Sequence, residues 1–271
     1  MIGSIAGDII GSKYEFANIK TKEFPLFGDG HNYTDDTVLT VATADWILHG
    51  GDVARYYHRY AVENRTPLGG YGRMFFRWVV MASRMGDFSP YGSCGNGSAM
   101  RISPVGWAFD TEDEVLAKAK ESAECTHNHP EGIIGAQATA LAIFMARKGA
   151  SAADIRKAVV DRFGYDLSMT VDEIRPRYSW EGLDGIVSGA TCQGSVPQAI
   201  ICALEATDYE DAVRNAVSIG GDSDTIGCIT GAIAEALFGV PDHIKSAALG
   251  YLPPHLRNVV EEFESKYRGF L

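Results

Sequence analysis

MIGSIAGDIIGSKYEF, residues 1–16, places glycine at every fourth position: Gly3, Gly7 and Gly11. In an apolar run this is helical spacing, so the three glycines share one face, and a face without side chains lets another helix approach closely. Far along the chain, IGCITGAIAEALFG (residues 226–239) carries a similar small-residue stripe at Gly227, Gly231 and Ala234 or Glu235. Both helices are built to be packed centrally.

Helical periodicity recurs along the rest of the chain. It predicts helices over 2–17, 35–48, 52–63, 72–85, 112–125, 131–148, 151–163, 183–205, 209–218, 223–238 and 254–267, separated by turn signals such as PLGGYG, SPYGSCGNGS and GYLPP. Alternating runs of strand type are nearly absent, and no Pro- or Ser-rich linker divides the chain. The expectation is a single all-α domain over residues 1–271.

With 46% hydrophobic and 22% charged residues, the 271-residue chain has the composition of a soluble globular protein. Its 24 basic and 35 acidic residues give a net charge of −11, which argues against a broad electrostatic grip on nucleic acid or an anionic membrane. The five cysteines, Cys94, Cys125, Cys192, Cys202 and Cys228, form no C-x-x-C pair and suit free thiols in a reducing compartment. The apolar start lacks a basic leader and is interrupted by Asp8, so neither a signal peptide nor a membrane span is expected. A cytoplasmic monomer is the expectation.

Beside the first glycine stripe runs a polar one, Ser4, Asp8, Ser12 and Glu15. It fits either a wet functional cleft or an ordinary solvent face. Downstream, YTDDTVLT (residues 33–40) sets Asp35 and Asp36 side by side at the head of an apolar helix. Taken alone, this is a helix start: Thr34 caps, and the carboxylates favour the positive end of the helix dipole. Yet IGGDSDT (residues 219–225) repeats the pattern, with Asp222 and Asp224 followed by Thr225 at the opening of another helix. Two such clusters near opposite ends of the chain look like halves of one site. Four converging carboxylates would repel one another unless cations are present, and an all-oxygen donor set favours magnesium, manganese or calcium over zinc. A two-metal site is therefore predicted.

Between the clusters, SCGNGSAMRISP (residues 93–104) places Gly95 and Gly97 around Asn96 before a helix start. Such a loop either aims backbone N–H groups at phosphate oxygens or is only a turn. In CTHNHPEGIIGAQ (residues 125–137), His127 and His129 precede Pro130 and a helix, a spacing that suits a cap or a structural contact.

Together, GSIAGDIIGSKYEF, YTDDT, GNGSAMR, THNHPEGIIGAQA and GGDSDTIGCITGAIAEALFG resemble the ADP-ribosylglycohydrolases, the family of dinitrogenase-reductase-activating glycohydrolase and the ADP-ribosyl-acceptor hydrolases. The motifs occur in family order across residues 1 to about 240. The resemblance implies a compact, single-domain, orthogonal multi-helix bundle around a dinuclear metal cleft, which removes ADP-ribose from an acceptor. Carried over by motif, the metal ligands are Thr34, Asp35, Asp36, Asp222, Asp224 and Thr225, holding two divalent cations, magnesium foremost and manganese as the other candidate. Glu15 matches the glutamate that gates the cleft and is implicated in catalysis, with Asp36 the second candidate base; Asp224 is the expected bridging ligand. Gly95, Asn96, Gly97, Ser98 and Met100 match the loop for pyrophosphate and distal ribose, and His127 matches a ligand-binding histidine.

Residues 165–185 match no family motif and are expected to cover one edge of the cleft. There Tyr178 and Trp180 either stack on adenine or are plain core and rim aromatics. The acceptor is open among arginine, serine, a nucleic-acid terminus and an O-acyl ester of ADP-ribose. Two other functions compete: a two-metal nucleotide phosphohydrolase, and a non-catalytic ADP-ribose-binding protein.

Overall fold

The computed structural model describes residues 1–268; residues 269–271, the end of the expected domain, lie outside the described residues. Four helices come first: α1 (Ile2–Ser12), α2 (Asp35–His49), α3 (Val53–Glu63) and α4 (Arg73–Met85). Two short helices, α5 (Gly97–Met100) and α6 (Ser103–Ala108), precede α7 (Glu112–Glu124), α8 (Pro130–Arg147) and α9 (Ala152–Phe163). The turn-length α10 (Val171–Ile174) and a hairpin of β1 (Tyr178–Ser179) with β2 (Gly182–Leu183) follow. The chain closes with α11 (Cys192–Leu204), α12 (Tyr209–Ile219), α13 (Ser223–Phe238), α14 (Asp242–Tyr251) and α15 (Pro254–Tyr267).

The two glycine-striped helices pack against each other. Antiparallel contact sets Gly3 against Gly231, Gly7 against Gly227 and Gly11 against Ser223, so closely that a Cβ on any of the three α1 glycines would run into the α13 backbone. Every residue of α1 is buried, as is α13 from Ser223 to Glu235. Neither helix is amphipathic, because each is enclosed: α8, α11 and α12 surround α13, while α2 and α14 flank α1. The isoleucines Ile5, Ile9, Ile226, Ile229 and Ile233 lie in one continuous apolar core with the inner faces of the surrounding helices. The outer helices read as surface helices do. In α4, for example, Phe75, Trp78, Val79 and Ala82 are buried on a single stripe.

Two predicted helices are shorter than their periodicity suggested. The first ends at Ser12, not residue 17, because the chain bends there across the start of α13. Asn18 fixes that bend: its Nδ2 donates to Tyr14 O (2.7 Å) and Gly221 O (2.9 Å), and its Oδ1 accepts from Gly221 N–H (2.8 Å). The stretch predicted as helix over 183–205 is helical only from Cys192. Gly182, Asp184 and Gly185 ahead of it all take positive φ and form the hairpin and its exit. The helices α5, α6, α10 and α14 were not predicted. Three are four to six residues long, too short for a repeat to register, and α14 buries only Ile244 and Ala248.

Candidate active site

Thr34 caps α2 as its sequence position suggests, its Oγ1 accepting from Asp36 N–H (3.2 Å). That cap leaves the Asp35 and Asp36 carboxylates free of capping duty. At the other cluster, Asp222 stands at the N-cap of α13, but its side chain caps none of that helix's backbone N–H groups. Both pairs face a cleft of about 610 Å³, whose walls come from the turn after α1, the start of α2, the 69–73 loop, residues 91–101 and the start of α13. The size suits a small-molecule ligand.

Carboxylates dominate its floor. Glu15, Asp222 and Asp224 each bring an oxygen within 4.8 Å of the others, a grouping able to hold a metal ion. Asp36 Oδ1 accepts from Thr225 Oγ1 (3.3 Å), and Asp222 Oδ2 accepts from Asn96 Nδ2 (2.8 Å). Asp36 Oδ2 and Asp224 Oδ1 are buried with no hydrogen-bond partner among the described residues. Buried carboxylate oxygens without donors are expensive unless a cation meets them. The donor set therefore fits hard divalent cations.

The electrostatics carry the same message. Burial pushes Glu15 up to about 8, helped by the neighbouring Asp224 and Asp8 charges. Burial likewise raises Asp222 to about 6. Asp35, Asp36 and Asp224 are held well above the usual carboxylate range, first by burial and then by the adjacent acids. A site that resists ionisation so strongly without cations is one that gains from binding them.

The polar stripe of α1 is neither cleft-facing nor solvent-facing: Ser4, Asp8 and Ser12 are all buried. Asp8 instead clamps the head of α2. Its carboxylate accepts from Thr34 Oγ1 (2.7 Å), Thr34 N–H (3.0 Å), Thr37 N–H (3.0 Å) and the Thr37 hydroxyl. These bonds offset much of the burial that lifts Asp8 to about 6. By holding the first turn of α2, Asp8 sets where Asp35 and Asp36 point. Sequence reasoning missed this role because the partners Thr34 and Thr37 lie more than twenty residues away.

Glu15, beyond the end of α1, does reach the cleft. Trp180 Nε1 donates to its backbone carbonyl (2.9 Å), and its Oε2 lies 2.7 Å from where a Cβ on Gly69 would stand, so the carboxylate packs against that glycine, whose φ is +76°. Trp180 lines the cleft and stacks on Phe16, with ring centroids 6.1 Å apart and planes at 8°. Tyr178 is buried behind this edge, in the core, and cannot stack on a ligand. Segment 165–185 thus contributes one aromatic to the cleft wall, not two.

Asp35, Asp36, Gly95, Asn96, Gly97, Met100, His127, Asp222, Asp224 and Thr225 all line the cleft. Thr34 and Ser98 do not. The Thr34 hydroxyl is engaged with Asp8 and the Asp36 amide, and Ser98 Oγ donates to Gly132 O (2.7 Å). In the glycine loop, Gly95 N–H donates to Ser93 Oγ and Asn96 N–H to Ala190 O, which leaves the Gly97 and Ser98 amides without partners among the described residues. His129 caps α8 by accepting from Glu131 N–H. His127 is different: burial, and then the Arg101 charge, hold its pKa well below the ordinary value, so it is neutral. Arg101 Nη2 donates to Thr126 Oγ1 (2.8 Å), which lies 2.8 Å from His127 Nδ1. The other ring nitrogen, His127 Nε2, lies beside Gly97.

Residues 1–268 match the family described as ADP-ribosylglycohydrolase. The chain belongs to this family. Among similar ADP-ribosylglycohydrolase relatives, the ADP-ribosylhydrolase ARH3 of Danio rerio is 27% identical over 302 residues, spanning 89% of this chain and 82% of the relative. Its counterpart in Homo sapiens is 26% identical, spanning 93% and 88%. The ADP-ribosylarginine hydrolase Tri1 of Pseudomonas putida (strain GB-1) is 23% identical, spanning 97% and 76%. The fold is also that of a chain in a solved ADP-ribosylglycohydrolase-related protein complex, with a TM-score of 0.71 at 23% identity over 99% of this chain and 95% of that one. The all-α architecture of the ADP-ribosylglycohydrolases is thus the architecture found here.

Proposed function

We propose that the protein hydrolyses the bond at the anomeric carbon of the distal ribose in an ADP-ribosylated acceptor, with two divalent cations, magnesium or manganese, held by Asp35, Asp36, Asp222, Asp224 and Thr225. The observation that carries this reading is the buried carboxylate floor with unpartnered oxygens on Asp36 and Asp224. When bound, the cations supply charge that orients the ribose hydroxyls and the attacking water. The names of the relatives, ADP-ribosylhydrolases and an ADP-ribosylarginine hydrolase, support the same substrate class.

The chain's own groups supply the rest. The Gly97 amide faces the pyrophosphate, and His127 Nε2–H donates to the ligand from the same side. Cleavage at the anomeric carbon develops positive charge on the sugar, which a carboxylate beside it stabilises. Of the two candidate bases, Glu15 is the better placed: Asp36 is almost wholly buried and tied to Thr225, whereas Glu15 stands half-buried in the cleft wall. In its ionised form, which a bound cation would favour, Glu15 takes the proton from water.

The test is incubation with arginine-, serine- and phosphate-linked ADP-ribosyl substrates in magnesium and in manganese, with products read by mass spectrometry. Free ADP-ribose is the expected product. AMP in its place would transfer the site to a phosphohydrolase, and neither product, with ADP-ribose still bound, would make the protein a binder.

A further inference from the structure

Between Glu63 and Asp87 the chain has no acidic residue, yet it carries Arg65, Arg73, Arg77 and Arg84, in a protein whose net charge is −11. All four are exposed, and none joins an ion pair or an arginine–aromatic contact among the described residues. On α4, at 3.6 residues per turn, Arg73, Arg77 and Arg84 fall within about 40° of one another. They form a stripe about 16 Å long on the face opposite Phe75, Trp78, Val79 and Ala82.

Folding does not explain this stripe. Arg73 occupies the first turn of α4, where the helix dipole disfavours a cation, and Gly72 ahead of it offers no side-chain cap. Arg73 and Arg77 are like charges four residues apart, which destabilises a helix. Where a sequence breaks local rules without a structural return, binding is the usual reason. Apolar groups accompany the charges: Met74, Phe76 and Met85 are 54%, 57% and 71% exposed. Phe76, Val62 and Val80 line a groove of about 280 Å³ edged by Arg65 and Arg84, and Tyr71 lines both this groove and the cleft. The stripe itself starts at the cleft mouth with Arg73.

We propose that the solvent face of α4 and the adjoining groove dock an acidic protein segment, the acceptor whose ADP-ribosyl group enters the cleft. The proposal rests on the hydrolase reading and names its substrate class. Acidic side chains meet the arginine stripe, an apolar side chain fills the groove, and the modified residue lies at Tyr71 and the cleft mouth. A stripe of this length spans about five residues of extended chain. The apolar groove between the arginines, with room for an apolar side chain, favours a polypeptide over a nucleic acid.

Two measurements test this separately from hydrolysis. In the first, fluorescence anisotropy follows an unmodified, labelled peptide of alternating glutamates with one phenylalanine, its glutamine counterpart, and a single-stranded oligonucleotide. The acidic peptide is expected to bind at least tenfold more tightly than the neutral one, with affinity falling as salt rises. Arg77→Glu, Arg84→Glu and, separately, Phe76→Ser, all at exposed positions, should each lower that affinity, the double variant by tenfold or more. In the second, the double variant should hydrolyse a small ADP-ribosyl conjugate at the parent rate while its KM for an ADP-ribosylated acidic peptide rises tenfold with kcat unchanged. Equal binding of acidic and neutral peptides, unchanged binding by the double variant, or preference for the oligonucleotide would overturn the docking surface. Failure to hydrolyse any conjugate would overturn the hydrolase reading and leave the binding result to decide the surface.

Discussion

At the scale of single residues, the site divides its carboxylates by what holds them. Asp8 is saturated with donors and serves as a clamp, whereas Asp36 and Asp224, which line the cleft, each keep a buried oxygen without a partner among the described residues. Glu15 belongs to neither group: its backbone is anchored by Trp180, while its carboxylate lies against Gly69. If it moves the proton and is not a core ligand, Glu15→Gln keeps volume, removes charge and leaves the cations in place. Turnover should then fall by at least about 100-fold. Affinity for ADP-ribose in magnesium, measured by titration calorimetry, should change by less than about tenfold. Parent-like turnover would remove Glu15 from the mechanism, and joint loss of metal and ligand would make it a ligand.

At the scale of elements, the pairing of α1 with α13 brings the two acidic clusters into one cleft. The glycine stripes announced two central helices because close approach leaves a mark that sequence can carry, glycine at spacing four. What they could not announce was the partner, nor that Asp8, on the same helix, reaches Thr34 and Thr37. Such contacts join residues remote in sequence, and no periodicity records them. The acidic pairs were legible because they repeat: one pair is an ordinary helix start, whereas two pairs near opposite ends of the chain, each followed by a threonine, look like halves of one site. Glu15 and Trp180 are fixed by a turn and a hairpin, which leave little pattern: the predicted helix over 2–17 overran the turn, and that over 183–205 took in the hairpin's last residue and its exit. The closeness of the helix pair has a measurable consequence. Gly7→Ala drives a methyl into the Gly227 carbonyl and should cost roughly 3 kcal/mol in urea denaturation, the upper range for overpacking. Gly250→Ala, in α14 with open space around the added carbon, should be neutral or stabilising by up to about 1 kcal/mol. Equal effects at the two sites would refute the role given to the stripe.

At the scale of the whole molecule, the buried acids make stability depend on pH and on cations together. A carboxyl whose pKa is higher in the folded chain holds its proton more tightly there, so stability is lost as pH rises from the unfolded value to the folded one. For Glu15 this window runs from the ordinary 4.5 to about 8; for Asp8 and Asp222 it ends at about 6. His31, His58 and His127, all lowered by burial, act in the opposite sense below their ordinary value of 6.5. Between pH 6.5 and 8 the acids act alone. The thermal midpoint in chelator should therefore fall across that interval, and saturating magnesium should raise it and flatten the fall. A midpoint that rises with pH in chelator would contradict the electrostatic account.

The central claim, that two distant acidic pairs form one cation site, is tested most directly by counting bound metal. Protein dialysed to equilibrium against manganese, or magnesium, and analysed by elemental mass spectrometry should retain about two ions per chain. The Asp36→Asn, Asp224→Asn double variant should retain fewer than one, because it neutralises one carboxylate from each pair. A parent chain that retains no metal, or a double variant that retains as much as the parent, would contradict it.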